Sequence, residues 1–363
     1  MGRERLQLYS LVGERTAEAT ASGLAGAQWF HSAIARPRMK QLMRREDGPA
    51  IRDTALWIGG LVVFGGIASA LWVTGHHLLS APVFLAYGLL YGTAGDSRWH
   101  ECGHGTPFAT RWMNVAVYEL ASFFMMREPT VWRWNHTRHH TDTLIVGRDP
   151  EITAMRPARL ARILANFFGL YDVPVSLWLM LRHALGLLTA DEAEVVPDSE
   201  KPKVFRKARI WAAVYAVVLA TALLTQSWLP VLLVGGPRVY GTFMHLVYGL
   251  TQHAGLYEDV LDHRLNSRTV RMNPINRFLY WNMNFHTEHH MFPMVPYHRL
   301  PELHEEIKGD LPAAYGSIFA AYRELVPAIL RQLKDQSYAV RRELPPGAAP
   351  YYEPTLPLTP TAP

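Results

Sequence analysis

The sequence predicts an all-α integral membrane protein: two transmembrane helical hairpins, four spans in all, carrying a cytosolic helical cap. Three observations predict it. The 363 residues are 49% hydrophobic and only 18% charged, and the apolar residues come in blocks close to the ~20 residues a helix needs to cross a bilayer. Those blocks pair across short turns without Lys or Arg, whereas the segments before and between the pairs are rich in both. Three histidine groups all fall on the basic side of the predicted membrane, beside the span ends.

Residues 1–53 read as a polar, cytosolic N-terminal arm, irregular or short-helical, that ends in the basic run from Arg36 to Arg45. Residues 1–30 lack the basic-then-apolar order of a cleaved signal peptide. Thr54 to Thr74 is the first expected span and Ala81 to His100 the second, joined by a turn holding His76 and His77. Met113 to Met126 and Leu160 to Leu181 are too short or too interrupted to span and read as interfacial or re-entrant helices. Asp191 to Lys203 reads as a charged loop. Ala208 to Leu224 and Trp228 to Leu250 form the second hairpin, so charge bias places both termini in the cytoplasm and the protein in the cell inner membrane. The last span is interrupted by Gly235-Gly236-Pro237-Arg238. Either Arg238 snorkels from a shifted span end, or a kinked helix lines a cavity and Arg238 faces a polar or anionic part of a substrate. The membrane domain is expected over 54–310, an amphipathic C-terminal helix over 311–342, and a disordered proline-rich tail over 343–363.

A formal charge of +5 raises the question of nucleic acid, but no motif accompanies it. The basic residues flank apolar spans, so the expected partner is membrane lipid and not nucleic acid. One cysteine, Cys102, excludes an intramolecular disulfide and suits a reduced, cytosolic face; it reads as packing.

Eight of the 17 histidines lie in three boxes: His100-Glu-Cys-Gly-His104, His136-Thr-Arg-His139-His140 and His286-Thr-Glu-His289-His290. On a helix, positions i, i+3 and i+4 share a face, so each box aims its imidazoles one way. Iron, zinc, copper and nickel all accept imidazole, and eight ligands suit two ions. Structural zinc sites usually recruit cysteine, which is absent beyond Cys102, so redox chemistry on oxygen is the expectation. A non-enzymatic membrane protein binding metal or heme is the alternative. Transporters, however, hold ions near the bilayer midplane, whereas these boxes lie outside the spans.

The HxxxH, HxxHH, HxxHH set between two hairpins resembles the integral-membrane fatty acid desaturase and hydroxylase superfamily over residues 50–310. Asn284-Phe-His286-Thr-Glu-His289-His290-Met-Phe292-Pro293 is similar to the third box of its bacterial members, and Asp149-Pro150 matches a common Asp-Pro after the second. Within it, Trp134-Asn-His136-Thr-Arg-His-His140 and Gln252-His253-Ala-Gly-Leu256 are most similar to the oxygenase of rhizopine catabolism and its bacterial relatives, which are associated with removal of an O-methyl group.

The resemblance implies two iron ions, O2 as cosubstrate, and nine histidine ligands. The ninth matches His253; His245 lies deeper and reads as a hydrogen-bonded intramembrane histidine. Asp149 matches a family position beside the ligands. Asn282 and Asn284 are candidates to orient ligands, and Asp142, Glu101 and Glu288 are nearby acids with the same potential role. No heme, flavin or iron–sulfur segment accompanies the boxes, so a separate donor, a ferredoxin or rubredoxin with its reductase, is implied. The expected reaction is hydroxylation or oxidative demethylation of a C–H bond, with desaturation of a fatty acyl lipid as the alternative.

Overall fold

The computed structural model describes residues 2–353, and among them no strand forms; only two isolated bridges, Thr269 with Phe285 and Val270 with Tyr315, interrupt an all-helical chain. Three helical segments are long and apolar enough to cross a membrane: Arg36–Val73, His77–His104 and Lys201–Leu224. Only 22% of the most apolar window of the first is buried, and 17% of that of the third. Val62, Val63, Ile67, Val217, Leu223 and Leu224 therefore face outward, a surface that needs lipid to cover it.

The expected first hairpin is present, with longer arms than its apolar blocks. The Asp47–Val73 helix turns at Gly75, whose φ of +80° suits a residue without Cβ, and packs against His77–Gly88. That second arm continues through a π-helical stretch, Leu89–Ala94, into Gly95–His104, so the span delivers the first histidine box without a break. A π turn widens the helix and weakens its hydrogen-bond ladder; here the Leu90 carbonyl accepts from the Trp57 indole at 2.7 Å.

The fourth expected span is not one helix. It is three short ones, Leu229–Leu233, Pro237–Tyr240 and Phe243–His253. Gly235 adopts φ +84°, and Pro237 has no N–H to extend the preceding helix. The freed carbonyls are satisfied by side chains: Tyr240 donates to Leu232 at 2.6 Å and Tyr87 to Leu233 at 2.9 Å. Gly241 lies so close to Gly88 that a Cβ would fall 2.1 Å from the Gly88 carbonyl. The broken segment is thereby pressed against the π stretch, and the break displaces Arg238 inward, where it is 4% exposed.

The remaining elements close over the box end. Arg111–Met125 packs along Gly95–His104, and the expected Leu160–Leu181 helix is two pieces, Leu160–Asn166 and Asp172–Ala184. The expected 191–203 loop instead holds a short helix, Ala190–Val195, begun by a Thr189/Glu192 capping box, and then the start of Lys201–Leu224. The central core stacks Trp281 on Tyr297 and gathers Trp57, Tyr91 and Trp99. Arg98, fully buried, lies over the Trp57, Phe278 and Trp281 rings and donates to the Phe278 and Leu279 carbonyls, tying the first box helix to the segment before the third.

The N-terminal arm packs back over the cap. Trp29 donates to the Thr141 carbonyl, and Phe30 to that of Leu261. The C-terminal part holds two helices, Leu300–Ile307 and Ile318–Gln332. The segment expected to be disordered from 343 has no regular structure, yet its described part is held. Arg264 donates to the Ala349 and Pro350 carbonyls at 2.8 Å each, and Asp262 accepts from the Tyr352 N–H. Residues 354–363 of that tail lie outside the described residues.

Candidate metal centre

Four helix segments bring the imidazoles together. His104 is the last residue of Gly95–His104, which Gly105 ends in a left-handed conformation. The Pro129–Thr141 helix carries the second box and starts with Glu128 accepting from the Val131 N–H at 2.7 Å. The third box forms the short His286–Met291 helix, entered through two left-handed residues, Trp281 and Asn282. His253 ends Phe243–His253.

The nine histidines separate into two groups, His100, His104, His136, His140 and His289 in one, and His139, His253, His286 and His290 in the other. Within each group the nearest ligand-type atoms all lie within 4.8 Å of one another. The split follows from helix geometry. In the second box His136 and His140, four apart, share one face and enter the first group, while His139 turns to the second. The third box does the reverse, sending His286 and His290 to the second group and His289 to the first. Each HxxHH word thus spans both groups.

The Nε2 atoms point at one another. His100 and His289 approach to 2.8 Å, His104 and His136 to 3.0 Å, His253 and His286 to 2.9 Å, His286 and His290 to 3.0 Å, and His140 and His289 to 3.2 Å. Several outer Nδ1 atoms face acceptors. His139 Nδ1 donates to Asp149 at 2.9 Å, His136 Nδ1 to Glu151 at 3.1 Å, His253 Nδ1 to the Asn266 carbonyl at 2.7 Å, and His290 Nδ1 to the Thr143 hydroxyl at 3.1 Å. These contacts assign the proton to Nδ1 and leave the Nε2 lone pairs facing inward. Lone pairs so close repel unless a cation lies among them, so the donor set fits a metal in each group.

Burial, reinforced by the neighbouring imidazoles, holds His140, His286, His289 and His290 well below the usual histidine range. All four stay neutral at neutral pH, the form a metal requires. His139 shifts the other way: burial opposes its protonation, but the Asp149 charge and hydrogen bond outweigh it. Burial likewise opposes ionisation of Asp149, yet His139 and the Glu151 and Leu144 N–H groups hold its carboxyl below the usual range.

Other expectations come out differently. Asn282 accepts from Arg277 and donates to the Tyr297 carbonyl, and Asn284 donates to the Val270 carbonyl; neither side chain hydrogen-bonds to a histidine. Asp142 pairs with Arg148, and Glu288 with His304 and Thr269, so these acids are also occupied elsewhere. Glu101 lies 3.4 Å from His289 Nδ1. His245 is in neither group; its Nδ1 is 2.9 Å from Asp96. Cys102 is buried in the core. Glu151, Thr143 and Asn266 were not singled out in the sequence. Glu151 follows Asp149 by two residues, so local spacing held a signal for it, but Thr143 meets His290 across 147 residues and the Asn266 partner is a carbonyl that no side-chain pattern marks.

A cavity of 350 Å³ reaches both groups, touching His100, His139 and His253. Its walls include Asp96, Arg127, Glu151, Asp172, Arg238 and His245 beside Val131, Leu179 and Leu246. Such a volume lies at the small end of small-molecule sites.

The family profile for fatty acid desaturases matches residues 76–322, a stretch that contains all nine histidines. The chain is 25% identical over 321 residues to a delta(12) fatty acid desaturase of Calendula officinalis, an alignment covering 77% of this chain and 84% of that one. It is 28% identical over 265 residues to an acyl-lipid 8-desaturase of Rebecca salina, covering 65% and 58%. It is also 25% identical over 236 residues to a probable fatty acid desaturase of Sorghum bicolor, covering 60% of each. The match thus spans less than two thirds of two of these three relatives. With that profile covering the core of the chain and all nine imidazoles, the chain belongs to the fatty acid desaturase family.

Proposed function

We propose that this chain is an O2-dependent membrane oxidoreductase with two iron ions, one held by His100, His104, His136, His140 and His289, the other by His139, His253, His286 and His290. The irons would supply the activation of dioxygen needed to break an unactivated C–H bond. The chain's own part is to hold nine imidazoles in place, four of them through Asp149, Glu151, Thr143 and the Asn266 carbonyl, and to present a substrate in the adjoining cavity.

Within this class the reading is oxygen insertion, either hydroxylation or oxidative demethylation of a small or polar-headed substrate. The observation that carries it is the cavity wall: ionisable side chains line the approach to the histidines, where a saturated acyl chain would gain from an apolar tunnel. The resemblance of the second box and of the His253 segment to bacterial hydrocarbon oxygenases supports the same outcome. Acyl desaturation is the second reading, favoured by the names of the curated relatives.

Electrons would come from a separate ferredoxin or rubredoxin with its reductase. Four spans in the inner membrane, with both termini cytoplasmic, fit the distribution of Lys and Arg, the broken segment from Leu229 to His253 crossing as three short helices rather than one rod.

The test supplies reduced ferredoxin and isotopically labelled dioxygen to the purified, iron-loaded protein with candidate methoxy and alkyl substrates. Labelled oxygen in an alcohol, or formaldehyde from a methoxy carbon, is expected. An unlabelled alkene formed from an acyl lipid would replace this reading with the second one.

A further inference from the structure

The cavity that reaches the histidines leaves one guanidinium without a paired carboxylate. Asp96 accepts from Arg127 Nη1 at 2.6 Å through one oxygen, and its other oxygen lies 2.9 Å from His245 Nδ1. Arg127 is further held against the Trp99 and Trp132 rings, 4.4 and 4.7 Å from their centroids. Asp172 is 3.8 Å from Arg162. Asp96 and Asp172 are therefore each engaged by another guanidinium.

Arg238 has nothing comparable. It is 4% exposed, its Nη1 meets only the Met125 sulfur at 3.9 Å, and its Nε has no partner. No carboxylate lies within ion-pair distance of it among the described residues. A guanidinium cannot shed its proton, so burial without a counter-charge is costly unless something else supplies the anion.

We infer that the substrate carries a carboxylate-type anion and that Arg238 pairs with it. This rests on the reading that the histidine groups act on a substrate in this cavity. Helix geometry then sets where the anion lies relative to the reacting carbon. Asp96 precedes His100 by four residues on one helix, about 6 Å along the axis, and His245 precedes His253 by eight, about 12 Å. Asp96 and His245 thus stand about one to two helical turns before the ligands, and Arg238 lines the same cavity. The C–H bond attacked is accordingly several bonds from the carboxylate, and Arg238 is a specificity-determining residue that selects the charged end.

The test is binding, read without dioxygen or donor so that it is independent of which product forms. Full-length, iron-loaded protein in detergent is dialysed against benzoate, hexanoate, benzamide, benzylamine and inorganic phosphate. Saturable, one-to-one binding of at least one of the two carboxylates is expected, at least tenfold tighter than the amide or amine. Arg238→Met and Arg238→Gln should weaken it at least tenfold, and Arg238→Lys should recover part of the loss. Because these variants remove an uncompensated charge, the melting temperature of Arg238→Met should equal or exceed that of the wild type.

Failure of either carboxylate to bind, equal binding of the amide, or unchanged affinity in Arg238→Gln would overturn the inference. So would an Arg238→Met protein that does not fold, which would make the guanidinium structural. Phosphate binding in place of carboxylate would overturn the choice of headgroup. Loss of labelled-oxygen product alone would count against the proposed reaction and leave the binding result standing.

Discussion

Asp149→Asn tests whether the outer partners of the histidines set metal affinity. Asp149 is 3% exposed and accepts three N–H donors: His139 Nδ1 at 2.9 Å, the Leu144 backbone at 2.8 Å and the Glu151 backbone at 2.7 Å. A carboxylate satisfies all three because it has no proton of its own. An asparagine has one oxygen, so its NH2 must face at least one of those N–H groups. The bond to His139 also loses its charge, and hydrogen bonds to charged groups contribute about 1.5–3 kcal/mol. Loss of such outer partners typically weakens metal binding by about 10–100-fold, or about 1.4–2.7 kcal/mol.

His139 belongs to the four-histidine group, and no member of the five-histidine group bonds to Asp149. The variant should therefore lose one iron and keep the other. Metal content would be measured after timed exposure to a chelator, with helical content and melting followed to confirm folding. A fall from two irons toward one is expected. An Asp149→Asn protein that keeps both irons with the wild-type loss rate would refute the reasoning, and simultaneous loss of both would show that the two groups do not bind independently.

Two further outcomes follow from residues near the centre. His253→Ala should lower iron content and abolish turnover, whereas His245→Ala, which removes a partner of Asp96 and not a member of either group, should keep most of its iron; equal iron loss in both would reverse the assignment. Burial raises the Glu128 carboxyl to about 7. A raised acid contributes stability that is full below the unfolded carboxylate value and is lost as pH rises through the folded one, here about 3 kcal/mol between pH ~4.5 and ~7. Glu128→Gln keeps an oxygen for the Val131 N–H, so it should raise the melting temperature at pH 8 and leave it little changed at pH 5; the same shift at both values would contradict this.

Much of the centre was legible because its chemistry is local. Two histidines four apart face the same way on any helix, so three such words in one chain point to metal. Asp149 lies ten residues from His139, the imidazole it orients, within reach of a local pattern. Asn282 and Asn284 show the limit of proximity in sequence. Both stand beside the third box, yet left-handed backbone at Asn282 and the close pairing of Asn284 with Val270 turn them toward main chain.

The sequence by itself determined the apolar helices, the eight box imidazoles and the broken stretch at Gly235 to Arg238, because hydropathy, ligand type and backbone restriction are properties of a residue and its near neighbours; His253 was added by the family resemblance. Only the tertiary structure decided which imidazoles share an ion site, what holds them, and what the break exposes. His100 meets His289 across 189 residues of chain, and His290 meets Thr143 across 147. The pairing of Asp96 with Arg127 and His245, which leaves Arg238 without a paired carboxylate in the cavity, joins two separate helices and the link between two others. Contacts of that range depend on how helices pack, and packing is decided by the shapes of many side chains together; no single stretch of sequence contains it.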